Sequence, residues 1–119
     1  MIKKTGFVSL AVVVFTGCAG IVIPPDRLAA NEASVRGAEE LGALGVPAAR
    51  MHLELAKDET ATAKRLASNG DSRALTVLAC AQSDAELALG LAREASVHAG
   101  ALKAAEDLQA VQARGNRPL

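Results

Sequence analysis

Few side chains in this 119-residue chain are equipped for chemistry: two cysteines, two histidines and 13 acidic groups. A hydrolase needs a nucleophile, a base and an orienting group gathered in one pocket. His52 and His98 stand far apart in the sequence. An antiparallel pairing of the helices that carry them sets residues near 52 against residues near 87. His98 then lies roughly 16 Å further along at 1.5 Å per residue. His52 and Glu59 share a helix face at a spacing of seven, whereas chelation on a helix wants four. No metal site is therefore expected. Glu39-Glu40, Asp58-Glu59 and Glu106-Asp107 are adjacent carboxylates, and neighbours in a helix point to different faces. They read as solvent charge instead of an acid–base pair, as do Lys57-Asp58, Lys64-Arg65 and Arg93-Glu94. No phosphate-cradling glycine loop is present, so no cofactor and no enzymatic activity are expected.

The cysteines carry more information. Lys3 and Lys4 precede an apolar run from Gly6 to Thr16, which ends in Phe15-Thr16-Gly17-Cys18. A basic start, a short apolar core and small residues at the cut describe a secretory signal over residues 1–17. With a cysteine directly after Thr-Gly, the segment resembles a bacterial lipoprotein signal. That resemblance implies cleavage before Cys18, which becomes a diacylglyceryl thioether with an acylated amine. Several acyl chains anchor stably where one does not. Ala19 follows the cysteine, and by resemblance to Gram-negative sorting this implies the outer membrane, facing the periplasm. An uncleaved inner-membrane anchor is the alternative, because apolar residues continue through Ile21-Val22-Ile23 to about the shortest length that spans a bilayer. A lipidated Cys18 leaves Cys80 without a partner in its own chain. Its helical, Ala-flanked setting predicts a buried apolar cysteine, with an intermolecular disulfide and a reactive thiol as alternatives.

The elements that would position these groups are helices. There are 26 alanines, and the two aromatic residues, Phe7 and Phe15, both fall within the signal. Alanine with Leu, Glu, Lys and Arg is the composition of long helices, and a sandwich or barrel would need aromatic and β-branched residues. Base-stacking nucleic-acid modules are excluded on the same ground. Without Lys3 and Lys4, 11 basic side chains face 13 acidic ones, so no nucleic-acid partner is expected. Residues 18–24 form a lipidated linker ending in Pro24-Pro25, and residues 25–113 form the helical domain. Pro25 opens a first helix to about Leu41, and Gly42 and Gly45 end it. Pro47 opens a second, which Asn69-Gly70 closes after Ser68. Asp71 is placed to cap a third, from Ser72 to about Ala113, leaving a frayed tail over 114–119.

Heptads give the packing. Ala74, Leu78, Ala81, Ala85, Ala88, Ala92, Ala95, Ala99 and Leu102 alternate steps of four and three. This is a coiled-coil seam written in alanine. Helix two answers with Ala49, Leu53, Ala56, Thr60, Ala63 and Ala67. The fold expected is all-α: an antiparallel Ala-rich hairpin in a three-helix bundle, with helix one covering a flank through Leu28, Val35, Ala38 and Leu41. The last 20 residues of helix three outrun helix two. They are expected to be solvated, bound to a partner, or folded back at Gly90 or Gly100.

The ordered landmarks resemble a bacterial family of small Ala-rich lipoproteins carrying a helical domain of unknown function. They are Cys18, Pro24-Pro25 with Leu28, Gly42-Ala43 before Pro47, His52-Leu53-Glu54-Leu55-Ala56-Lys57-Asp58-Glu59, Gly70-Asp71 and Asp84-Ala85-Glu86-Leu87-Ala88-Leu89. The resemblance spans roughly residues 18 to 100. It implies an envelope location and a helical bundle, with members often found beside OmpA-like proteins, and it supplies no catalytic residues. The expected role is a tethered structural or adaptor protein contacting an envelope protein or a second copy. A carrier of an apolar ligand or peptide between its helices is the alternative.

Overall fold

The computed structural model describes residues 20–115. The leader over 1–17, Cys18 and the Phe15-Thr16-Gly17-Cys18 motif lie outside the described residues. The fold is all-α: α1 spans Pro25–Glu40, α2 Pro47–Ser68 and α3 Arg73–Gly115, with one 3₁₀ turn, Ala43–Gly45, between α1 and α2.

Each boundary has a local cause. Pro25 and Pro47 sit in the first turns of α1 and α2, where a missing N–H costs nothing and a fixed φ suits the helix. Gly42 follows α1 with φ 81°. Gly70, at φ 70°, lets the chain reverse after α2. The Asp71 N–H there reaches back to the Leu66 carbonyl at 2.9 Å, satisfying an end group of the helix. Asp71 then opens α3 as anticipated, its Oδ1 accepting the Arg73 backbone N–H at 2.9 Å.

α2 and α3 form the antiparallel hairpin. Ala49 and Leu53 pack with Ala88 and Ala92, and Ala38 of α1 and Ala43 of the connecting turn join the same core. Ala56, Ala63, Ala74, Ala81 and Ala85 are also completely buried, and Leu78 is 2% exposed. Among the described residues, Leu53 and Leu78 are the large apolar side chains with full burial. Methyl groups thus close most of the core. Each contributes little, about 0.8 kcal/mol per buried carbon, but small residues bring the backbones close. α1 covers the flank with Ala38 buried and Leu28 and Val35 half-buried, whereas Leu41 is 40% exposed.

The ends of the seam differ from expectation. Ala67 and Ala95 are half-buried and Ala99 is exposed. Ala99 lies past the start of α2, so nothing stands opposite it. α3 also does not turn back at Gly90 or Gly100: both lie inside one continuous 43-residue helix, about 65 Å long. A glycine costs about 1 kcal/mol against alanine in a helix, and the surrounding Ala and Leu residues absorb that. Arg114 and Gly115, expected in the tail, belong to α3. By length and composition α3 could also cross a membrane, with a mean hydropathy of 1.2 over an 18-residue window. Its Ala row, packed on α2, gives that apolarity a use within the bundle.

Candidate functional site

Two features stand out from the packed hairpin: the projecting end of α3 and a polar cluster between α2 and α3. Every residue from 96 to 115 is exposed, about 30 Å of helix at 1.5 Å per residue. Val97 is 72% exposed, Leu108 59% and Val111 63%. With Ala101 and Ala104 they recur at steps of four and three, so they line one face. That face starts two residues out of phase with the Ala85, Ala88 and Ala92 seam. At 100° per residue it therefore points away from the side that α2 would occupy. Leu102, which continues the seam, is 55% exposed. The projecting segment thus carries its valines and Leu108 on a surface of its own.

The polar cluster is a feature that single-helix periodicity passes over. His52 Nδ1 and Asp84 Oδ1 are 2.7 Å apart, each side chain about one-fifth exposed. Burial, followed by the Asp84 charge, pushes the Glu59 carboxyl above its ordinary value. Glu59 Oε2 is buried with no hydrogen-bond partner among the described residues. The signal was present: His52 and Glu59 share a face of α2 at a spacing of seven, and the expected register falls within three residues of Asp84. The contact runs from α2 to α3, and spacing along a single helix carries no sign of it. His98 is exposed and far from this cluster, as the register requires.

A second set of polar contacts ties α1 to α2. The Asn31 amide donates to Thr60 Oγ1 at 2.6 Å, and the Thr60 hydroxyl donates to the Ala56 carbonyl at 2.5 Å. Both side chains are buried, and Asn31 Oδ1 has no partner among the described residues. Lys64 binds Glu32 at 2.9 Å, and Lys57 binds Glu39 at 2.5 Å. The Lys64 hydrogen bond lowers the Glu32 pKa, and the Glu39 hydrogen bond raises that of Lys57. The lysines and Glu39 are thus bridges between helices instead of bare solvent charge. An open cleft of about 410 Å³ lies between α1 and α2, lined by Asn31, Val35, Arg36, Thr60, Ala61 and Lys64 among others.

Cys80 is exposed, not buried as its alanine neighbours predicted. Ala81 takes the inward seam position, and one residue of helix turns Cys80 about 100° away. Among the described residues, no group of three or more His, Cys, Asp or Glu is placed to hold a metal ion. Compared with known family models, curated proteins and solved structures, the chain matches none of them.

Proposed function

We propose that this protein is a non-enzymatic, lipid-anchored envelope adaptor whose compact hairpin displays the end of α3 to a protein partner. The observation that carries this reading is the exposed row Val97, Ala101, Ala104, Leu108 and Val111 on a stretch of helix that outruns its neighbours. Exposed apolar surface arranged on one helix face is the usual form of a helix-packing site. The proposed anchor is Cys18, which follows the leader motif, with the outer membrane as the proposed location and the periplasm as the compartment the bundle faces. A second copy is the alternative partner.

Labelled palmitate should enter the wild-type chain in a bacterial envelope and not Cys18→Ala; equal labelling of both contradicts the anchor. Cross-linked envelopes should yield a specific complex of the full-length chain. A strictly monomeric protein with no captured partner contradicts the adaptor role.

The α1–α2 cleft supports carriage of a small apolar ligand as a second reading, since its volume falls within the range of small-molecule sites. Native mass spectrometry separates the two: a carrier retains a co-purified ligand, and an adaptor is the mass of the chain and its anchor alone.

A further inference from the structure

The geometry points to the cleft between α1 and α2 as a binding site for a small amphipathic carboxylic acid, one with an apolar side chain, an N–H or O–H donor and a carboxylate. The inference rests on the carriage reading of that cleft and gives its ligand a chemical class. The cleft holds about 410 Å³, within the range of small-molecule sites. Its lining residues offer three kinds of chemistry at different depths. Asn31 and Thr60 are buried and form the floor, Val35 and Ala61 supply apolar surface, and Arg36, Lys57 and Lys64 stand at the rim.

The floor supplies an acceptor. The Asn31 amide donates to Thr60 Oγ1 at 2.6 Å, and the Thr60 hydroxyl donates in turn to the Ala56 carbonyl. Asn31 Oδ1 is left with no hydrogen-bond partner among the described residues, on a side chain that is 0% exposed. A buried carbonyl oxygen without a donor is destabilising, and a fold that keeps one calls for a reason. A ligand N–H or O–H is that reason here. α1 is closed on α2 at this point by the Asn31–Thr60 hydrogen bond and two exposed ion pairs, Lys64 with Glu32 and Lys57 with Glu39. Exposed pairs of this kind hold helices only weakly. A small outward movement of α1 therefore brings Oδ1 within reach of a molecule in the cleft.

The rim supplies the charge. Glu32 is the one carboxylate among the lining residues, against three cations. Lys57 and Lys64 are each held by a glutamate, whereas Arg36 is exposed and forms no ion pair among the described residues. A planar guanidinium suits a carboxylate in two-pronged contact. Asn31 and Arg36 are about 7.5 Å apart along α1 at 1.5 Å per residue, so the ligand's donor and carboxylate stand a few bonds apart. A purely apolar ligand would use neither group.

N-acetyl-L-leucine carries all three features and serves as the probe. Titrated into the full-length chain at low salt and followed by NMR, it should shift the Asn31 side-chain amide and the Val35 and Thr60 methyl groups. N-methylation of the probe removes the donor, and methyl esterification removes the charge. Each change should weaken binding about fivefold. Arg36→Gln, an exposed substitution outside the core, should bind the acid and the ester equally. Equal affinity of wild type for all three compounds overturns the proposal and leaves an apolar carrier standing. The absence of shifts in the cleft with any of the three overturns the proposal and the carriage reading together.

Discussion

Asp71 carries the reversal between α2 and α3. Its carboxylate accepts the Arg73 backbone N–H and holds the Arg73 guanidinium at 2.7–3.1 Å. The Arg73 side chain, then its backbone N–H, lowers the Asp71 pKa from 3.8 to about 2. A carboxylate depressed in the folded state stabilises above its unfolded value and loses that effect as pH falls through the folded value. Asp71→Ala should therefore lower the Tm at neutral pH, with the difference from wild type shrinking between pH 3.8 and about 2. Thermal melts followed by circular dichroism at both ends of that window check it. A constant difference across the window would mean that the Asp71 charge plays no part. Asp71 was legible in the sequence because capping is local: an Asp after Asn-Gly and before a helical run has few other uses. The exposure of Cys80 and the His52–Asp84 contact were not, because both depend on which face of α3 looks at α2.

At the scale of elements, local chemistry and periodicity account for different parts of the structure. α2 runs Pro47–Ser68 as its proline start and Asn-Gly stop dictate. The alternating alanines identify the inner face of α3 as far as Ala92. Beyond that point periodicity alone misleads, since Ala95, Ala99 and Leu102 extend the same spacing with no helix opposite to bury them. What buries a residue is the partner's length, and α2 ends where Pro47 begins it. The tight part of the seam also sets a limit on size. Ala85 is fully buried between helices packed through methyl groups, so Ala85→Leu should overpack the hairpin and cost about 1–3 kcal/mol. Urea unfolding of the variant measures this. Leu102→Ala, on the projecting segment where the side chain is 55% exposed, serves as the control and should change stability far less. An Ala85→Leu protein as stable as wild type would show that the helices are further apart than the burial requires.

At the scale of the whole molecule, the small core and the long α3 belong together. Beyond residue 17 the chain has no aromatic side chain, so its helices are held by proximity, not by large anchors, and such a core has little apolar volume to spare. α1 and α2 brace the first part of α3, and the remaining 20 residues, 96 to 115, extend from that brace with Val97, Leu108 and Val111 uncovered. The proposed lipid on Cys18 would tether the opposite end of the polypeptide through the linker before Pro25, leaving the helix free to reach a partner. The fold was largely legible because helix starts, stops and seams are written locally. The partner-facing surface was legible only in part, since its face departs from the seam that the heptads extend. Photo-cross-linking in intact cells tests the central claim most directly, with the probe placed singly at Val97, Leu108 and Val111 and, on the other side of the same helix, at Ala99, Glu106 and Ala113. The account predicts one discrete adduct from the first three positions and none from the second three. Adducts of equal yield from all six positions, or from none, would contradict it.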